Sequence, residues 1–189
     1  MNLLVLDGSH ASDTFSTSAW EVLQDAGGRR GWSVDRLVLR EMEIAHCLGC
    51  FGCWVKTPGE CVIDDEGREV ARQIVASDLV IYLTPVTFGG YSASLKNALD
   101  RSISIISPMF RKLKGEVHHQ KRYAKYPRLL SIGWMASDDL DQEETFEMLI
   151  QRNALNMYAP RAVARALLSS MDRDALAASL EELLEEVIR

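Results

Sequence analysis

The chain has 189 residues, 47% apolar and 25% charged, the profile of a globular protein large enough to bury a full core without disulfide or metal staples. Its net charge of −6 gives no electrostatic reason to expect nucleic acid or an anionic membrane as a partner. The N-terminal MNLLVLDGSH lacks a basic stretch and a small-residue cleavage site, and no apolar run approaches the roughly 20 residues that cross a bilayer, so a cytoplasmic location is expected.

Leu3 to Leu6 is a continuous apolar run, as expected of a strand buried on both faces. A helix from about Ser16 to Ala26 follows, with Ala19, Trp20, Leu23 and Ala26 on one face and Gly27-Gly28 at its end. Trp32 to Leu39 reads as a second strand whose polar residues suit a sheet edge. Beyond a cysteine-bearing segment, Glu66 to Ala76 reads as a helix and Leu79 to Leu83 as another buried strand. Ser92 to Ile105 reads as a helix through Leu95, Leu99 and Ile103.

The stretch from Ser107 to Pro127 carries Arg111, Lys112, Lys114, His118, His119, Lys121, Arg122 and Lys125. It reads as a mobile or partner-contacting excursion, with a solvated face as the alternative. Arg128 to Ile132 is the fourth expected strand, Asp141 to Met157 a helix and Ala162 to Leu168 the fifth strand. Leu176, Leu180, Leu183, Leu184 and Val187 mark the last helix. Strands alternating with helices imply a parallel sheet covered on both faces. The expected fold is therefore α/β: a flavodoxin-like, doubly wound, five-stranded parallel sheet of order 2-1-3-4-5 in three layers, one domain over residues 1–189.

In such sheets ligands bind beyond the carboxyl ends of the strands where the strand order reverses, here between strands 1 and 3. The loop after strand 1, DGSHASDTFSTS, has neither GxGxxG nor GxxxxGK[ST], which disfavours a dinucleotide fingerprint and an ATP loop. It leads Ser9, Ser12, Thr14, Ser16 and Thr17 into a helix N-terminus, where hydroxyls and free N–H groups hold a phosphate. No Lys or Arg precedes Arg29, so neutral donors are expected to suffice. Ordinary N-capping accounts for the same residues.

The loop after strand 3 opens TPVTFGGYSASLKNALDR. Pro85 sets a turn, Gly89 and Gly90 admit close approach of a flat ligand, and Phe88 and Tyr91 offer stacking surface. A plain strand-to-helix turn is the alternative. A phosphate cradle beside a glycine–aromatic ledge describes FMN.

These two loops, with the segment CLGCFGCWVKTPGECVIDD between them, resemble the NADPH-dependent FMN reductase and iron–sulfur flavoprotein group of flavodoxin-like proteins. The likeness covers most of residues 1–105. It implies FMN, with Ser9, Ser16 and Thr17 at the phosphate and Pro85, Val86, Thr87, Phe88 and Gly89 along the isoalloxazine ring. It also implies a contribution from the loop that begins near Gly133 and Trp134, and NAD(P)H as electron donor. A homodimer or homotetramer with flavin near the subunit interface is implied too, and Phe51, Trp54 and Phe88 suit such an interface. The chain departs from the group at His10, Ala11, Phe15 and Ser16, where GSPR and a later Asn-Thr are frequent, and at Thr87, where an aromatic is frequent.

All four cysteines fall within fifteen residues, as Cys47-x2-Cys50-x2-Cys53-x7-Cys61. Thiolates so spaced can ligate an iron–sulfur cluster or zinc, act as redox thiols, or lie in a tightly folded loop. The resemblance implies a [4Fe–4S] cluster on this spacing in some relatives and FMN alone in others. The expectation is a cluster-free loop with no metal ligand, the cluster being the alternative. Zinc ranks third, because its sites prefer two CxxC pairs set further apart.

The expected function is an FMN-dependent NAD(P)H oxidoreductase that passes electrons to a small acceptor: a quinone, a nitroaromatic or a flavin. The flavin carries the redox chemistry, so no side chain is required as acid or base. The alternative is an iron–sulfur flavoprotein or a flavodoxin-like carrier fed by a ferredoxin-like donor. His10 reads as a contact or surface residue. His118 and His119, with Lys121 and Arg122, are candidates for an NADPH phosphate or an acidic substrate. Asp64 and Asp65 are candidate helix caps.

Overall fold

The computed structural model describes every residue except Lys114. The chain runs β1 (Asn2–Asp7), α1 (Thr14–Arg29), β2 (Ser33–Val38), a one-turn α2 (Gly52–Val55), α3 (Gly67–Ala76), β3 (Leu79–Pro85) and α4 (Ala93–Arg101). It continues through β4 (Ile106–Leu113), β5 (Glu116–Lys121), β6 (Arg128–Met135), α5 (Leu140–Asn156), β7 (Ala162–Leu168) and α6 (Arg173–Ile188), with 3-10 turns at Leu39–Glu41 and Ser102–Ile105.

The two continuous apolar runs, β1 and β3, pair with each other at the middle of a five-stranded parallel sheet of order β2-β1-β3-β6-β7. This is the expected order, with β6 and β7 as the fourth and fifth parallel strands. β2, which alternates exposed and half-buried residues, occupies an edge. Successive side chains alternate between two cores. Leu3, Val5 and Ile81 pack with Ala19 and Leu23 of α1 and Leu180 and Leu184 of α6. Leu4, Leu6, Val80 and Tyr82 pack with residues of α3, α4 and α5. Each such Leu or Ile contributes about 1.5–3 kcal/mol by leaving water, which fixes the three layers and the position of the loops above them.

Helix α1 runs past the expected stop at Gly27-Gly28. Gly27 is buried inside the helix, and a Cβ there would collide with Val34 of β2. Its missing side chain serves close helix–sheet packing. The helix ends where Gly31 takes φ +67°.

The charge-rich stretch after α4, expected as a mobile or partner-contacting excursion, has regular structure of its own. It forms an antiparallel hairpin, β4–β5, as a separate two-stranded sheet. His118 is buried on it, 2.9 Å from both Glu116 Oε2 and Asn156 Oδ1, while Arg152 of α5 donates to both Glu116 oxygens. Arg122 Nε donates to Ser104 O at 2.9 Å, and Lys121 lies over the ring of Tyr158. His118, His119, Lys121 and Arg122 tie the hairpin to the body; the expected Lys114 contribution lies outside the described residues.

Candidate functional site

Two loops at the carboxyl end of the sheet are locked together. Gly8 N–H donates to Leu83 O at 2.8 Å, and a Cβ on Gly8 would stand 2.5 Å from Ser92 Oγ. Only glycine lets the β1 loop lie this close to the start of α4. Ser92 caps α4 by accepting from Leu95 N, and its own N–H donates to the buried Thr84 Oγ1 at 2.9 Å.

On the β1 side, Ser9 is buried and its N–H donates to Asp7 Oδ1 at 2.8 Å. Ser16 Oγ donates to Asp13 O at 3.1 Å, and Thr17 is exposed on the first turns of α1. Asp13 is the N-cap residue but makes no side-chain bond to the helix; its carboxylate accepts from His10 N at 2.7 Å instead. Without a side-chain cap or an acidic residue in its first turn, the N-terminus of α1 suits an anion.

The neutral donors expected here have cationic neighbours. Two arginines arrive from β2 and the turn beyond it. Arg36 Nε donates to Asp7 Oδ2 at 2.9 Å and neutralises that fully buried carboxylate. Arg40 Nη1 donates to Ser9 Oγ at 2.9 Å. The available signal was the pairing of β2 with β1, which sets whatever follows β2 beside whatever follows β1.

On the β3 side, Val86 N–H donates to Trp134 O at 2.9 Å, and Thr87 and Gly90 exchange two backbone bonds of 2.9 Å. Between them Phe88 and Gly89 take φ of 50° and 74°, the signature of a type I′ turn. Phe88 is 93% exposed at its tip. Gly89 is buried against α5, where its N–H donates to Gln142 Oε1 at 3.3 Å and a Cβ would meet Thr145. Pro85 and Val86 are half-buried and Thr87 is exposed, so the five expected ring residues form one ledge of mixed burial. Gly133 and Trp134 are corrected from loop to strand: both are buried in β6, Trp134 stacks on Phe15 at 5.1 Å, and the loop begins at Ala136.

Cys47, Cys50, Cys53 and Cys61 all line one cavity of about 570 Å³, with Trp54 and Tyr91 also on its wall. Gly49 (φ 62°) and Phe51 (φ 57°) take left-handed backbone on either side of Cys50. Cys53 is buried, and that burial pushes its thiol pKa up, with Cys61, Cys47 and Cys50 acting in the same direction. Among the described residues no three His, Cys, Asp or Glu side chains converge on a single metal ion. Tyr91 joins ledge to cavity, its hydroxyl accepting from Asn153 Nδ2 at 3.0 Å. Trp54 donates to Ile106 O at 3.0 Å and is half-buried, whereas Phe51 is exposed. His119 lies between Trp54 and Phe110, 4.7 Å from each ring centre. Asp65 accepts from Gly67 N, the first residue of α3, at 3.0 Å and also from Ala45 N, and pairs with buried Arg101.

Residues 1–122 match the family described as NADPH-dependent FMN reductase. The chain belongs to this family. The FMN reductase match takes in both loops and the whole cysteine segment. Among curated relatives, an iron–sulfur flavoprotein of Methanosarcina thermophila is 36% identical over 74 residues, 39% of this chain and 38% of the relative. Another from Methanocaldococcus jannaschii is 31% identical over 102 residues, 54% of this chain and 52% of the relative. The chain thus matches about half or less of the length of these relatives.

Solved structures share this fold over nearly the entire chain. An NAD(P)H:quinone oxidoreductase from Methanothermobacter marburgensis has a TM-score of 0.69 at 12% identity, covering 98% of this chain and 94% of its own. An FMN-dependent NADH-azoreductase from Bacillus anthracis, solved with FMN, has a TM-score of 0.67 at 12% identity, covering 100% and 98%. At that identity the likeness establishes the flavodoxin-like architecture alone. Among the described residues no helix is long and apolar enough to cross a membrane.

Proposed function

We propose that this chain is an FMN-dependent NAD(P)H oxidoreductase that passes electrons to a small acceptor: a quinone, a nitroaromatic or a flavin. The observation that carries the reading is the locked pair of loops in a member of the FMN reductase family: an uncapped helix start with buried hydroxyls beside a positive-φ turn. The donor set fits FMN. Ser9, Ser16 and Thr17 with the first N–H groups of α1 hold the phosphate, and Pro85, Val86, Thr87, Phe88 and Gly89 hold the ring edge. Bound FMN supplies hydride and single-electron chemistry. The chain orients it and leaves a mostly apolar approach for the acceptor, with no side chain required as acid or base. The exposed Leu48, Phe51 and Val55 of the cysteine segment, with Met109, Phe110 and Val117 of the hairpin, support self-association as a homodimer or homotetramer.

The test is direct. Purified protein should be yellow, release FMN on denaturation, and oxidise NAD(P)H when a quinone is supplied. A colourless protein that takes up no added FMN sinks the reading.

The cysteine cavity favours a second reading, an iron–sulfur flavoprotein acting as an electron carrier for a ferredoxin-like donor. Its support is that the matched curated relatives are named iron–sulfur flavoproteins and that a [4Fe–4S] cluster takes one thiolate per iron, the number of thiols lining this cavity. Anaerobic purification tests it by iron, sulfide and a broad absorbance beneath the flavin bands. Absence of iron and sulfide in protein that holds FMN returns the segment to a cluster-free loop.

A further inference from the structure

We propose that Arg40 is a phosphate ligand and makes this site selective for FMN over flavins that lack the phosphate. The proposal rests on the FMN reading above and deepens it.

The loop between β1 and α1 contains no Lys or Arg of its own and has a carboxylate at each end, Asp7 closing β1 and Asp13 preceding α1. Asp7 is fully buried and is matched by Arg36, which spends both Nε and Nη2 on its Oδ2. Asp13 lies beside the helix start with its carboxylate on the neutral His10 N–H and no salt bridge among the described residues. A phosphate arriving there meets the helix N-terminus and an unbalanced carboxylate, so a further cation is needed to favour the dianion.

Arg40 stands in place to supply it. Leu39, 3% exposed, anchors the turn that carries it, and Arg40 Nη1 reaches Ser9 Oγ at 2.9 Å. Because Ser9 Oγ accepts from Arg40, its own proton is left to donate to an anion. Arg40 keeps 29% of its side chain exposed, and its other contact, Nη2 to Glu41 Oε1 at 3.0 Å, is with a surface carboxylate that competes weakly. The guanidinium fork has further N–H donors that neither contact uses, and its planar geometry matches phosphate oxygens. The buried serine and the arginine therefore form one donor pair, with the serine as floor and the arginine as the charged wall.

The experiment uses full-length protein stripped of flavin and reloaded, with binding read from quenching of flavin fluorescence. FMN and riboflavin are titrated into wild-type, Arg40→Ala and Arg40→Lys. Loss of a charge-assisted bond to phosphate should weaken FMN about 10- to 100-fold in Arg40→Ala, with riboflavin affinity unchanged and a smaller loss in Arg40→Lys. Equal FMN affinity in wild-type and Arg40→Ala overturns the assignment. So does a parallel loss of FMN and riboflavin, which would mean that Arg40 only shapes the loop. A wild-type protein that binds neither flavin overturns the FMN reading itself, and this assignment with it.

Discussion

Arg101, with none of its side chain exposed, donates to both carboxylate oxygens of Asp65, at 2.7 and 2.8 Å. The same guanidinium donates to Ala45 O at 2.6 Å and Ile63 O at 3.4 Å. One α4 side chain therefore grips the chain just before Cys47 and just after Cys61, and the cysteine segment hangs from it as a closed loop.

Asp65→Asn removes the negative partner and leaves a buried guanidinium uncompensated. The expected cost is about 3–5 kcal/mol. Urea unfolding should show a lower midpoint at unchanged m-value. An unaltered midpoint would show that the pair carries no stability.

The same pair sets an acid limit. Hydrogen bonding from Arg101 is the largest influence holding the Asp65 carboxyl below its ordinary range. The unfolded chain then binds the proton more readily than the folded one, so this contribution is complete above about pH 4 and is lost as pH falls through the lowered folded value. Asp78, beside Lys125, and Glu181, beside Arg30, are lowered too and act in the same direction. Unfolding free energy measured against pH should drop steeply below about pH 4 in wild-type and less steeply in Asp65→Asn.

Phe88 combines a left-handed backbone with an almost fully exposed ring. A phenylalanine in that conformation is strained by about 1–2 kcal/mol, and no burial offsets it. Phe88→Gly should therefore hold or raise the thermal midpoint while slowing turnover with a quinone acceptor, because Phe88 belongs to the proposed flavin ledge. Lower stability with full turnover would assign Phe88 a packing role instead.

Exposure orders the thiols. In metal-free protein, Cys47 and Cys50 should be alkylated first, Cys61 next and Cys53 last, since Cys53 is buried and its thiol is shifted away from the reactive thiolate. Peptide mass spectrometry over a time course reads the order directly. Early modification of Cys53 would require a segment that opens readily.

Much of the fold is readable from neighbours along the chain. The runs at Leu3–Leu6 and Leu79–Leu83 announce buried parallel strands because no residue in them tolerates water, and β2 announces an edge by its alternation. The hairpin was not readable, because RKL and HHQK look like solvated charge until His118 is seen buried between Glu116 and Asn156. Gly27 misled for a similar reason: a glycine pair commonly ends a helix, and only the approach of Val34 gives it another purpose.

By itself the sequence determined the strand order, the two loops that follow strands 1 and 3 and the cysteine spacing, since each rests on local pattern or on short-range backbone preference. The tertiary structure decided which charges meet. Arg36 and Arg40 reach the β1 loop across the β1–β2 register, and Arg101 closes the cysteine segment from a helix far along the chain. Such contacts depend on how strands and helices pack in three dimensions, and no spacing along the chain encodes the distance between two side chains that only packing brings together.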